Sequence, residues 1–264
     1  MRNNIIIITI LLISLSLIIW SVFIEPNLLE IKHFTIKDPQ LSGIKIVFAG
    51  DFHLKKYQQK RADKVVDLIN KQNPDLVLLT GDFVNGHKES SSMPIMKIAK
   101  NLGKINAKTF SVLGNHDFYA GREKILKELA KNKITVLSNS NEKVKIKDKT
   151  IYIAGVEDLQ TGKPDIDKAI ENAKNPIILL THSPDIFPDI WQDINLTLAG
   201  HVHGGQIRIP FIGAVIIPTK YGNKYSQGYI SEDKQKMIIT KGIGTSILPI
   251  RFNCKPDIVV INFI

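Results

Sequence analysis

Three times in the first half of the chain, a run of apolar residues halts at a glycine, and a side chain of metal-ligand type follows at once. The runs are Ile44 to Ala49 before Gly50-Asp51-Phe52-His53, Leu76 to Thr80 before Gly81-Asp82, and Thr109 to Leu113 before Gly114-Asn115-His116-Asp117. Short apolar runs bounded by glycine read as buried strands. Between them the pattern changes to a helical period. Gln58 to Asn70 carries Val65, Val66 and Ile69 on one face until Asn73-Pro74 breaks it, a second helix reaches to about Leu102, and Gly121 to Asn132 is amphipathic. Strands alternating with helices predict an α/β sheet with its chemistry at the carboxyl ends of the strands.

The second half repeats the device with imidazoles. Pro176 to Leu180 is another buried run, and it ends in Thr181-His182-Ser183-Pro184. Ser at an N-cap and Pro at N1 can start a short helix there. Leu196 to Ala199 leads into Gly200-His201-Val202-His203-Gly204-Gly205-Gln206. The glycines allow a sharp turn, and residues two apart on extended chain point the same way, so His201 and His203 could reach into one pocket. Five of the seven histidines (His53, His116, His182, His201 and His203) stand at strand ends. Packing or chance would not gather them there. Elsewhere we read a hairpin over Val144 to Ile153, a helix over Asp165 to Ala173, β structure over Ile207 to Ile217 and over Tyr229 to Thr240, and a final strand over Asp257 to Ile261. His87 reads as loop.

Residues Ile5 to Ile24 form an uncharged apolar run. As a helix it is long enough to cross a hydrocarbon layer of roughly 30 Å. Arg2 precedes it and Trp20 lies where an interfacial aromatic belongs. No small-x-small cleavage site follows, so the expectation is a retained anchor in the plasma (inner) membrane. Lys32 and Lys37 nearly balance Arg2 and the amino terminus, so the positive-inside rule leaves the orientation open. The chain thus divides into an anchor at 1–24, a linker with a leading strand at 25–43, and a domain at 44–264. The chain has 264 residues, 44% of them apolar, which is ample for a sizeable core. The formal charge of +10 suits anionic partners. No dense Lys/Arg tract interleaved with aromatics is present, so nucleic acid is not an expected partner. One cysteine, Cys254, excludes an internal disulfide and fits no ligand pattern.

Asp51, His53, Asp82, Asn115, His116, His182, His201 and His203 make an oxygen and nitrogen donor set without thiolate. It suits Mn, Fe, Zn or Mg better than a structural zinc site. With His116 set aside for proton transfer, seven are too many for one ion. Two ions about 3.5–4 Å apart, bridged by a carboxylate, accommodate them, and such a pair polarises a phosphoryl oxygen and supplies a hydroxide nucleophile. The leaving oxygen needs a proton donor, which His116 beside Asp117 can be.

In order and completeness, Asp51-x-His53, Gly81-Asp82, Gly114-Asn115-His116-Asp117, His182 and Gly200-His201-x-His203 resemble the calcineurin-like metallophosphoesterases. The resemblance implies a four-layer α/β/β/α sandwich of two mixed sheets. It implies that Asp51, His53, Asp82 and His203 hold one divalent ion and Asp82, Asn115, His182 and His201 the other. His116 would be the acid, positioned by Asp117. Manganese is the first expectation for the metals. The loop Gly200 to Pro210, and the tail with Gly242, Ser246, Pro249 and Arg251, resemble the YaeI/YkuE-like branch of small bacterial membrane-anchored or exported phosphodiesterases. Val202 stands where that branch more usually has Thr. The branch implies a phosphodiesterase or pyrophosphatase acting on a phosphorylated small molecule or lipid, and some relatives act on UDP-2,3-diacylglucosamine. A phosphomonoesterase would keep the same ligands, and a non-catalytic scaffold or a nuclease fits less well. Arg208 and Arg251 could contact substrate phosphate or face solvent. Tyr221 and Tyr225 could line a lid or pack on a strand.

Overall fold

The computed structural model describes residues 2–86 and 89–264, so His87 lies outside the described residues. The strands in chain order are β1 (Glu30–Ile36), β2 (Lys45–Ala49), β3 (Leu76–Leu79), β4 (Lys108–Ser111), β5 (Ile134–Val136), β6 (Ser140–Ile146), β7 (Lys149–Gly155), β8 (Ile177–Leu180), β9 (Leu196–Ala199), β10 (Arg208–Ile209), β11 (Gly213–Ala214), β12 (Gly228–Glu232), β13 (Gln235–Ile239) and β14 (Asp257–Phe263). Two six-stranded sheets carry the fold, ordered β1-β14-β2-β3-β4-β5 and β12-β13-β9-β8-β7-β6. Both are mixed. β2 to β5 are mutually parallel while β14 runs against β2, and β13, β9, β8 and β7 are parallel between antiparallel β12 and β6. The leading strand β1 joins the first sheet as its edge, pairing parallel to β14.

The unbroken apolar runs follow from burial on both faces. In β2, Ile46 and Phe48 point between the sheets, where they meet Ile153, Ile178, Leu198 and Ile238. Val47 and Ala49 point the other way, against Val65, Val66 and Ile69 of α2 (Gln59–Lys71) and Ile98 of α3 (Ile95–Leu102). Helix α4 (Asn115–Lys131) completes that outer layer with Ile125 and Leu129. The outer face of the second sheet is covered more thinly, by Ala169 of α5 (Ile166–Ala169) and by Ile186 and Phe187 of the 3-10 turn Pro184–Asp189. Ser183 caps that turn, accepting from the Asp185 N–H.

Three elements differ from their sequence expectation. Helix α4 starts at Asn115, because Asp117 at its N3 position accepts the Gly114 N–H, and the expected start at Gly121 is instead a kink with φ 119°. The helix expected over Asp165 to Ala173 stops after one turn. Asn141 of β6 takes the Ala169 and Glu171 carbonyls that would have extended it. The β structure expected over Ile207 to Ile217 shrinks to the two-residue pair β10 and β11, where Asn223 satisfies both backbone groups of Ala214.

Helix α1 (Arg2–Ile19) continues through a π turn (Trp20–Ile24) and a 3-10 turn (Glu25–Asn27). This helical stretch has mean hydropathy 2.9 over its most apolar window and buries almost none of it. The 18 residues of α1 alone span about 27 Å at helical rise. The hydroxyls of Thr9 and Ser16 donate to the carbonyls of Ile5 and Leu12, so these two polar side chains are satisfied within the helix. It is a candidate membrane span.

Candidate metal centre

The loops after β2, β3, β8 and β9, with the first turn of α4, meet at one place. They bring together all eight expected donors. Asp51, His53 and His203 form one cluster, His53, Asp82 and His116 a second, and Asp82, His182 and His201 a third, with ligand atoms within 4.8 Å of one another in each. Asn115 joins the third, its Oδ1 lying 3.1 Å from His182 Nε2. Such crowding needs close loops. A Cβ on Gly114 would lie 2.6 Å from His182 Cε1, and one on Gly242 2.7 Å from the Asp51 Cβ. It also needs unusual backbone. Asp51, His53, Asp82, His201 and His203 all have φ between 39° and 70°. Left-handed backbone costs a non-glycine residue of order 1–3 kcal/mol, and packing must hold it in place.

Asp82 occupies the seam. Its Oδ2 lies 3.3 Å from His53 Nε2 and 3.4 Å from His182 Nε2, while its Oδ1 accepts the His116 backbone N–H at 2.9 Å. Asp51 takes the His201 N–H on both oxygens, at 2.9 and 3.0 Å. The His182 Nδ1 donates to the Thr80 carbonyl at 2.7 Å, which aims Nε2 into the cluster. His182 Nε2 faces His201 Nδ1 at 3.1 Å, and His203 Nε2 faces His53 Nε2 at the same distance. Paired imidazole nitrogens pointing at each other beside carboxylates are what a cation satisfies. The buried Nδ1 atoms of His53 and His203 find no partner among the described residues. The donor set therefore fits divalent metal.

The electrostatics agree. Burial pushes Asp51 up to about 6. Burial also opposes charge on Asp82, but His182 and His53 outweigh it and hold that carboxyl well below its ordinary range. Burial works against a proton on His182 as well, yet Asp82 and then Asp51 raise it well above the usual imidazole value. Burial, reinforced by His182, takes His201 down to about 4, and burial with His53 and Arg251 depresses His203. Neutral imidazole, the ligating form, is thus favoured at His201 and His203, while the proton held on His182 between two carboxylates stands where a cation would replace it.

Asp117 stands one layer back. Its carboxylate accepts four backbone N–H groups, from Asp82, Phe83, Val84 and Gly114, at 2.7 to 3.4 Å. It thus fixes the Asp82 loop and the helix turn that carries His116. Burial and then the Asp82 charge raise its pKa to about 7. Arg251 is fully buried and donates to the carbonyls of Lys241, Gly242, Gly244 and Cys254, so it holds the loop against Asp51 and reaches no substrate. Arg208 donates to the Gly204 carbonyl and Ser226. Tyr225 is buried, its hydroxyl on Glu232, and Tyr221 packs against it. The Cys254 thiol donates to the His203 carbonyl.

Two residues were not foreseen. Gln160 places Nε2 3.2 Å from His201 Nε2, and buried Asp158 holds the Gln160 and Thr161 N–H groups. They follow β7, whose end at Gly155 was the one signal available.

A family model described as Calcineurin-like phosphoesterase matches residues 44–205. The chain is 32% identical over 253 residues to an uncharacterized metallophosphoesterase, YkuE, of Bacillus subtilis, covering 90% of this chain and 86% of the relative. It is 30% identical over 250 residues to the phosphodiesterase YaeI of Escherichia coli, covering 92% and 91%. Among solved structures, a 5'-nucleotidase precursor of Thermus thermophilus superposes with a TM-score of 0.50 at 14% identity, covering 76% of this chain and 49% of that one. That likeness concerns the fold alone.

Proposed function

From the premise that the chain belongs to the calcineurin-like phosphoesterases, metal-dependent hydrolases of phosphoric esters, we propose a phosphodiesterase or pyrophosphatase that works with two divalent ions. The observation that carries the reading is Asp82 Oδ2, set between His53 and His182 so that one carboxylate serves both clusters. Asp51, His53, Asp82 and His203 hold one ion; Asp82, Asn115, His182 and His201 hold the other. Manganese suits this donor set first, with Fe, Zn and Mg behind it. When bound, such a pair supplies Lewis acidity at the phosphoryl oxygen and a water nucleophile at neutral pH.

The chain's own residues do the rest. His116 lies at the edge of the cluster, half-buried, its ring edge-on to His53 at 4.7 Å between centroids. As the P–O bond breaks, its imidazolium gives a proton to the leaving oxygen. Asp117 keeps that helix turn and the Asp82 loop in place through the backbone. Gln160 orients His201 through its second ring nitrogen.

The domain at 44–264, with β1 at its edge, hangs from an anchor at 1–24 in the plasma (inner) membrane. A substrate carried by or near a lipid suits that placement, and UDP-2,3-diacylglucosamine is the specific alternative among nucleotide-lipids. The test strips the detergent-solubilised chain of metal, reloads it with Mn²⁺, and compares bis-p-nitrophenyl phosphate, p-nitrophenyl phosphate and UDP-2,3-diacylglucosamine. Metal-dependent cleavage of the diester, lost in Asp82→Ala and His116→Ala, is the expected result. Cleavage of the monoester alone would replace the diesterase with a monoesterase. Metal-dependent turnover that survives both substitutions would overturn the site.

A further inference from the structure

Among the described residues outside α1, exposed apolar side chains gather on a rim made by two loops. Phe211, Ile212, Val215 and Ile216 come from the turn and tail around β10 and β11, and Ile247 and Leu248 from the loop before Arg251. Phe211 and Ile247 are fully exposed, Ile216 is 81% exposed and Ile212 68%. A soluble surface seldom clusters such residues without a partner. Backbone conformation sharpens the point. Phe211 has φ 69° and Ile247 φ 60°, and a β-branched residue in the left-handed region is an outlier. The fold thus holds its two most exposed apolar side chains on backbone that their own preferences oppose.

The rim is joined to the end of the apolar helix. The Arg251 N–H donates to the Ser21 carbonyl at 2.9 Å, and the Cys254 N–H to the buried Glu25 carboxylate, which also takes the Trp20 indole N–H at 2.7 Å. The Arg208 N–H bonds the Phe252 carbonyl. Gln206 clamps Ser246 in both directions, at 3.0 and 2.8 Å, tying one rim loop to the other. Trp20, Pro210, Phe252 and Lys255 line one cleft between helix and rim. Trp beside Lys at the end of an apolar helix is the composition of a membrane interface.

We propose that this rim is a membrane-docking surface, seated in the interfacial layer of the bilayer that the N-terminal helix spans. The occupant follows from continuity. Backbone bonds fix the rim at the level where the helix leaves the hydrocarbon, and apolar side chains at that depth bury themselves among headgroups and upper acyl chains. The proposal rests on the reading of the helix as a span, and its test separates the two.

The full-length chain is reconstituted into vesicles of phosphatidylethanolamine and phosphatidylglycerol, with some lipids brominated near the headgroup or at the chain end. The wild type carries two indoles. Trp20 reports the helix, and Trp191, exposed before β9 and outside the rim, serves as a control for the aqueous phase. Phe211→Trp and Ile247→Trp each add a reporter. The expected result is added emission that is blue-shifted and lost more to bromine near the headgroup than at the chain end, with the Trp191 emission unchanged. Added emission that is water-like and unquenched overturns the docking surface. Emission that is blue-shifted yet insensitive to brominated lipid overturns it too, since a second copy or another protein then covers the rim. If Trp20 also escapes quenching, the span itself fails and the proposal falls with it.

Discussion

Of the expected donors, the first sheet brings Asp51, His53, Asp82, Asn115 and His116, and the second brings His182, His201 and His203. Every oxygen donor of the proposed ligand set therefore stands on one sheet, and the other answers with imidazole. The carboxylates need that answer. Burial pushes Asp51 up to about 6, whereas Asp82, facing His182 across the seam, is held well below its ordinary range. The two sides are also held differently. Helices α2 to α4 back the first sheet, and the loops of the second are fixed by side-chain clamps such as Gln160 on His201 and Arg251 on four carbonyls. A site split between two layers exists only when both are packed, so metal binding and sandwich packing support one another.

The largest break in this partnership comes at the seam. Asp82→Asn keeps the shape and removes the shared charge. Turnover should drop to background and bound metal to fewer than two ions per chain, read by elemental analysis beside the diester assay. His116→Ala touches the first sheet's contribution without touching a proposed ligand. It should cost about 10²–10⁴-fold in kcat with metal content intact. Stripping metal leaves the sheets to hold each other alone. At free ion a hundredfold above each dissociation constant the lost stabilisation is about 2.7 kcal/mol per ion, about 5.4 kcal/mol for the pair. For a domain of this size that is a fall of roughly 10–20 °C in Tm by calorimetry. Gln160→Ala loosens one clamp on the second sheet only. It should weaken metal binding about tenfold at one of two steps in a titration, the lower end for such supporting partners.

Most of the first sheet's share was legible because buried parallel strands need unbroken apolar runs, and because close loops need glycine where they turn. Gly114 and Gly200 sit where a Cβ would strike Asp82 and Asp51, so strand, glycine and ligand appear together in the sequence. The second sheet's supports were not legible. Gln160 follows a glycine-ended strand that lacks a ligand of its own, and its contact spans 41 residues. Arg251 reads as a surface or substrate-facing charge until the carbonyls that surround it are seen. Asp117 reads as a partner of its neighbour His116, but its oxygens serve backbone that lies 33 to 35 residues away as well as its own helix start. Apolar content alone does not distinguish a strand from an exposed rim, so Ile207 to Ile217 reads as β where the short pair β10 and β11 forms.

Between the apolar helix and β1 the chain has little slack. Ser21 and Glu25 are tied to Arg251 and Cys254, and Arg61 of α2 donates to the Pro26 and Ile243 carbonyls. A domain on a loose tether sweeps a hemisphere above its anchor. If α1 spans a bilayer, these bonds oppose such a sweep, and the search for anything dissolved in the same leaflet becomes planar, governed by lateral diffusion and by rotation about the membrane normal.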